Sequence, residues 1–308
     1  MTETFWLQST TDNIDIYVSA WNHAAKPKAI IQLAHGMVEH IARYEEFANF
    51  LTENNFAVFG HDHRGHGQTG LKQGQLGYLS STDGFDKMVD DLYTVTTYIK
   101  SLYADIPIIL FGHSMGSFVV RRYIQTYSDD IDGVILSGTG YFPATVSRIG
   151  KHFANLFAPQ KEAKLFNLLA FGSYNKRIKK SNTAFDWLTR DDIAVEKYMD
   201  DPLCGFTPSG RFFYDLMSGL YTIHQESANQ AINPTFPILF ISGDHDPVGS
   251  YGKGVWKVAK LYCDIGFNKV TVQLFPDARH EVLHELNKHD VYEQIYRWIE
   301  NEVTFSRL

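Results

Sequence analysis

Pro107-Ile108-Ile109-Leu110-Phe111 runs straight into Gly112-His113-Ser114-Met115-Gly116, and the helical pattern Ser117–Tyr127 follows. The first five residues read as a strand bounded by a proline. The next five have the form Gly-x-Ser-x-Gly, a sharp turn that lifts a serine between a strand and a helix. A side chain at either flanking glycine would crowd the strand or the helix. Five residues alone arise by chance; the strand before them and the helix after them make the match specific. The stretch predicts an α/β sheet with Ser114 at the carboxyl end of one of its strands.

The same rhythm extends outward. Phe5–Gln8 and Ile14–Trp21 read as an opening antiparallel pair. Ala29–Ala34 has apolar residues on both faces, as a central parallel strand requires. A helix over about Arg43–Glu53, a strand at Phe56–Gly60 and a long helix from an Asp83 N-cap to about Tyr103 follow. After the strand Val134–Ser137 the alternation breaks, and residues 141–233 show only helical patterns and loops rich in Phe, Leu and Tyr. It resumes with the strand Phe236–Ser242, a helix near Gly254–Tyr262, the strand Val270–Phe275 and a last helix near Val291–Val303. The expectation is one mostly parallel α/β core domain, 1–140 and 234–308, with a helical cap inserted at 141–233.

A serine hydroxyl is a poor nucleophile until a neighbouring base takes its proton. In this architecture the partners come later in the chain, acid first and then histidine, on loops after strands. Gly243-Asp244-His245-Asp246-Pro247-Val248 follows one late strand, and Pro276-Asp277-Ala278-Arg279-His280 follows the next. His280 is therefore the expected general base. Asp244 and Asp246 compete for the acid. An oxyanion hole needs two backbone N–H groups. Met115, after the serine, supplies one; Met37, in His35-Gly36-Met37 after the first buried strand, is the candidate for the other.

Two runs invite a metal reading. His280-Glu281-Val282-Leu283-His284 matches a zinc signature that works only on a helix, and here it follows a strand and a proline. His61-Asp62-His63-Arg64-Gly65-His66-Gly67 lacks the aspartate that a dinuclear site needs before its last histidine. A hydrogen-bonded loop, with Arg64 pairing a carboxylate, is the plainer expectation. No metal and no cofactor is expected.

Of 308 residues, 44% are hydrophobic and 20% charged, enough for a large core, and the net charge of -7 offers no basic face for nucleic acid. Cys204 and Cys263 are the only cysteines, expected to be buried and reduced. The first residues have no basic segment leading into an apolar one, so a cytoplasmic enzyme is expected.

Taken together, His35-Gly36-Met37-Val38-Glu39-His40 with Arg43-Tyr44, Asp62-His63-Arg64-Gly65-His66-Gly67, Gly112-His113-Ser114-Met115-Gly116, Gly243-Asp244-His245-Asp246-Pro247-Val248 and His280-Glu281-Val282-Leu283-His284-Glu285 resemble the monoacylglycerol lipase and lysophospholipase branch of the α/β hydrolases. The resemblance implies an α/β-hydrolase fold, a triad of Ser114, Asp246 and His280, and an oxyanion hole at Met37 and Met115. It also implies a small, lipid-like ester as substrate, and the cap's own apolar residues lead to the expectation of an acyl tunnel and of transient contact with a membrane surface. The branch often has a second glycine where this chain has Val38, which implies a narrower acyl pocket. Hydrolysis of small or aromatic esters, or of peptides, on the same triad is the alternative; a scaffold that only binds would have no need of all three residues.

Overall fold

The computed structural model describes residues 2–22 and 26–303, so the extreme ends of the expected core domain, Met1 and Thr304–Leu308, lie outside the described residues. Among the described residues the chain builds one sheet from β1 Thr2–Gln8, β2 Asp15–Trp21, β3 Ile30–Ala34, β4 Ala57–His61, β5 Ile108–His113, β6 Gly133–Ser137, β7 Ile238–Gly243 and β8 Val270–Phe275. Across the sheet the order is β1-β2-β4-β3-β5-β6-β7-β8. β2 runs antiparallel to both β1 and β4, and every other neighbouring pair is parallel. The opening antiparallel pair and the parallel run that follows are those expected from the sequence.

Strands β3 to β7 are buried along their whole length, which is why they read as unbroken apolar segments. Their polar residues His61, His113, Ser137 and Ser242 fall at or near the carboxyl ends; Gln32, in the middle of β3, is the exception. Its amide donates to the Leu92 carbonyl at 2.8 Å and accepts from the Thr96 hydroxyl at 2.8 Å, so the burial leaves no orphan.

The helices are α1 Glu45–Glu53, α2 Gly67–Gln73, α3 Gly84–Leu102, α4 Met115–Tyr127, α5 Ala144–Ala154, α6 Lys164–Phe171, α7 Asp192–Asp200, α8 Gly210–Thr222, α9 Glu226–Gln230, α10 Lys253–Asp264 and α11 Lys288–Glu302. One apolar layer joins the sheet to α1 and α11 through Phe47, Leu51, Tyr292, Ile295 and Ile299. The other joins it to α3, α4, α8 and α10 through Phe85, Leu92, Val119, Phe213 and Val258. Asp83 does precede α3, but at φ 51° and without a side-chain cap bond; a left-handed turn, which aspartate tolerates, starts the helix. Between β6 and β7 the chain passes through α5 to α9, and the one β-bridge there pairs Glu162 with Ser209. No helix among the described residues is long and apolar enough to cross a membrane. Cys204 is buried as expected, whereas Cys263 on α10 is exposed, and both are free.

The histidine-rich run is the hydrogen-bonded loop expected of it. Asp62 accepts from the Ile41 and Gln68 amides at 2.8 and 2.6 Å. The buried Arg64 guanidinium donates to both oxygens of Asp91 at 2.7 and 2.8 Å, and to Asp12 at 2.9 Å. Removing one partner of a fully buried pair strands the other charge, at a cost of about 3–5 kcal/mol. Asp91→Ala leaves the buried Arg64 with Asp12 alone and is therefore expected to cost stability toward the lower end of that range, read as a lower urea midpoint at unchanged m-value. A loss below about 1 kcal/mol would mean that Asp12 and water together satisfy Arg64.

β3 has β4 on one side and β5 on the other. The loops leaving the carboxyl ends of β3 and β5 therefore open beside each other, at the point where the winding direction reverses.

Candidate active site

Ser114 follows β5 and stands at the N-cap of α4 with φ 50° and ψ -117°, a conformation that a non-glycine residue holds only under constraint. The constraint is visible. The Ser114 amide donates to Ser137 in β6 at 2.8 Å, and its carbonyl accepts from the Ser117 amide and hydroxyl at 2.9 and 2.6 Å. The flanking glycines make room for the turn. A Cβ on Gly112 would lie 2.5 Å from the Gly116 carbonyl oxygen, and one on Gly116 would lie 2.0 Å from that of Ala34. Only hydrogen fits at either position.

The two competing aspartates have opposite surroundings. Asp246 is fully buried; Oδ1 accepts from the Val248 amide at 2.8 Å and Oδ2 from the Ser242 hydroxyl at 3.1 Å. Asp244 is exposed and pairs with its neighbour His245 at 2.6 Å. His280 Nδ1 lies 3.0 Å from Asp246 Oδ1, close but bent away from the N–H direction. Burial pulls the His280 imidazole down, but the Asp246 carboxylate, helped by Glu281 and Glu39, outweighs it and raises the imidazole above its ordinary value. The ring lies between Trp187 at 5.0 Å and His113 at 4.8 Å.

Ser114, His280, Met37 and Met115 line one cavity of about 390 Å³ whose other walls are mostly apolar, among them Phe118, Phe142, Phe171, Trp187, Met217 and Leu220. As the first residue of α4, Met115 has an N–H without an intrahelical acceptor. A second, more open depression of about 600 Å³, walled by Tyr78, Phe157, Arg211 and Tyr214, holds none of these residues.

A buried charge network backs the site. Glu39 accepts from the Gly36 amide, from the Tyr44 hydroxyl at 2.9 Å and from Arg43. Arg43 also grips Glu281 with two bonds of 2.7 Å. Burial opposes ionisation of Glu281, yet the Arg43 guanidinium wins and holds its carboxyl well below the usual range. The loop that carries Met37 and the segment that carries His280 are thus tied through one guanidinium.

A family model described as serine aminopeptidase, S33, matches residues 25–287. The chain belongs to that family. The monoacylglycerol lipase of Mycolicibacterium smegmatis is 28% identical over 291 residues, covering 93% of each chain. The monoglyceride lipase of Mus musculus is 29% identical over 288 residues, covering 88% of this chain and 85% of its own. Among solved structures, a carboxyl esterase from Bacillus coagulans superimposes with a TM-score of 0.90 at 29% identity, over 98% of this chain and 99% of that one. The chain is an α/β-hydrolase enzyme of the monoacylglycerol-lipase-like branch.

Several contacts in this S33 member have no signal in its sequence motifs. Trp187 is one: its carbonyl accepts the His280 amide at 3.3 Å, and the next carbonyl, of Leu188, accepts the Glu281 amide at 2.7 Å. The Glu39–Arg43–Glu281 network is another, although all three residues stand inside the quoted motifs. Val38 has φ 52°, a left-handed conformation that is costly for a β-branched residue, and it lines the cavity. His284 is a packing residue, its Nε2 3.1 Å from the Arg43 carbonyl oxygen and its ring edge-on to Tyr44. Among the described residues neither histidine-rich run brings three metal-ligating atoms together; the group that does is His40, Asp201 and Cys204.

Proposed function

We propose that Ser114, His280 and Asp246 hydrolyse a carboxylic ester through an acyl-enzyme, and that the substrate is a monoacylglycerol or a similar single-chain lipid ester. The observation that carries this reading is the convergence of a strained serine and a carboxylate-paired histidine on one apolar cavity. His280 takes the Ser114 proton as Oγ attacks the ester carbonyl, and the Met37 and Met115 amides receive the oxyanion. The same imidazole returns the proton to the departing alcohol, then activates the water that releases the acid. Asp246 holds the ring tautomer and stabilises its cation.

Residues 141–233 act in this reading as the cap over the site. Its aromatic side chains divide the work: Phe166, Phe212 and Phe213 are buried in packing, while Phe171, Phe185 and Trp187 line the cavity. Val146, Ile149, Leu156, Leu165, Leu168 and Leu169 are exposed on and around α5 and α6. So many large apolar groups on neighbouring segments support transient contact with a lipid surface, since scattered single residues would not form a patch. The relatives named monoacylglycerol and monoglyceride lipase support the substrate class.

A cavity of about 390 Å³ sits near the lower end of ligand pockets, which run from roughly 300 to 1,000 Å³. Across monoacylglycerols of increasing acyl length, kcat/KM is expected to peak at medium chains. Val38→Gly, which removes an isopropyl group from the wall and the penalty at φ 52°, is expected to move the peak to longer chains. A maximum at acetyl or propionyl esters would favour the small-ester reading, and an unmoved optimum in Val38→Gly would take that wall out of acyl selection.

A further inference from the structure

Beyond Gly36 the loop after β3 reaches His40, which meets the turn Asp201–Cys204 between α7 and α8. The His40 Nε2 to Asp201 Oδ2 distance is 2.7 Å, and one donor atom from each of His40, Asp201 and Cys204 lies within 4.8 Å of the other two. We propose that these three side chains bind one divalent ion of the zinc class, which fastens the α7–α8 segment to the loop that carries Met37.

The donor set selects the ion. Nitrogen, oxygen and sulfur together suit zinc or cobalt, whereas calcium and magnesium take oxygen almost alone. Tetrahedral coordination with bonds of about 2.0–2.3 Å spaces its donors roughly 3.3–3.8 Å apart. The present spacings need shifts of about 1 Å to meet that geometry.

The turn is already organised. Asp201 Oδ1 accepts from the Leu203 amide at 2.8 Å, and the Cys204 amide donates to the Asp201 carbonyl at 3.0 Å. Oδ2 is left to face His40, and the second carboxylate oxygen is held as an outer contact of a metal ligand usually is.

The surrounding charge favours a cation. Arg43, over the Tyr198 ring at 4.8 Å, is the nearby positive group, and it is matched by both Glu39 and Glu281, leaving surplus negative charge before Asp201 is counted. The two segments already touch where the ion would join them. The Val38 carbonyl accepts from the Gly205 amide at 2.9 Å and from the Tyr198 hydroxyl at 3.1 Å. The ion is thus a clamp on the oxyanion loop and takes no part in the bond-making steps.

The test is a titration of the full chain, reduced, freed of metal by a chelator and then of the chelator, with Co²⁺ and with Zn²⁺. One equivalent of Co²⁺ is expected to raise a thiolate-to-metal charge-transfer band that Zn²⁺ bleaches. The zinc Kd is expected to weaken about 100-fold or more in Cys204→Ser and in His40→Ala. Metal-free circular dichroism of Cys204→Ser, matching wild type, separates lost ligation from lost folding. Absence of the band, or a zinc Kd unchanged in folded Cys204→Ser, overturns the assignment.

Discussion

Ser114→Ala is expected to lower kcat/KM for ester substrates by about 10⁵- to 10⁶-fold, with little change in stability. The size follows from the role proposed for the hydroxyl. Without it no acyl-enzyme forms, and only binding and the oxyanion amides remain to assist water, which in serine hydrolases leaves roughly 10³–10⁴ over the uncatalysed rate. Ser114 is also in a strained conformation that alanine inherits, so the backbone term cancels between wild type and variant. Two measurements check the prediction: turnover of a medium-chain monoacylglycerol, and labelling by a fluorophosphonate. Wild type is expected to take one label per chain and the variant none. Folded variant that keeps a tenth of the wild-type rate would remove Ser114 from the mechanism.

The elbow was legible because three local demands coincide there: a buried strand, a turn that admits only hydrogen at Gly112 and Gly116, and a helix. A single sequence shows such coincidence when the constraint lies within a few residues. The start of α4 at Met115, before the expected Ser117, belongs to the same turn, since the helix begins immediately after the serine. Asp244 and Asp246 could not be separated by spacing. What divides them is burial and two donors, Ser242 and Val248, and only the folded loop supplies those.

Contacts made across long stretches of chain were the least legible. Arg43 and Glu281 are 238 positions apart, and nothing in either local pattern announces that one guanidinium will bridge Glu39 and Glu281. Val38 runs against its own propensity, because a β-branched residue is a poor choice for a left-handed turn; the resemblance flagged the position, and the structure gives its conformation. Cys263 illustrates the opposite error. Cysteine is usually buried, but the exposed face of α10 carries this one.

Asp246→Asn is expected to cost about 10⁴-fold in kcat while leaving the fold intact. Asparagine is nearly isosteric; its single amide oxygen can keep one of the two bonds, from Val248 or from Ser242, and the Ser242 hydroxyl also reaches the Gly243 carbonyl at 3.2 Å, so the loop has no reason to collapse. Two properties of the imidazole are lost: the tautomer that presents Nε2 as a base, and the charge that stabilises its cation. The second loss has a sign that can be checked. In wild type Asp246, helped by Glu281 and Glu39, outweighs burial and raises His280, so the base is neutral, and kcat/KM is full, only above the ordinary imidazole value of about 6.5. Activity should fall as pH drops through that raised value. In the variant only the weaker pull of Glu281 and Glu39 opposes burial, and the acid limb of the profile should move to lower pH even as the plateau falls. Stability runs the other way: the raised pKa stabilises the fold fully below the unfolded value and loses that contribution as pH rises through the folded one. Wild type should therefore gain over Asp246→Asn in acid denaturation, in the same range where its activity disappears. A plateau loss under about tenfold, or an acid limb that does not move, would assign the orienting role to a group other than Asp246. The exposed Asp244, paired to His245, is poorly placed to take it.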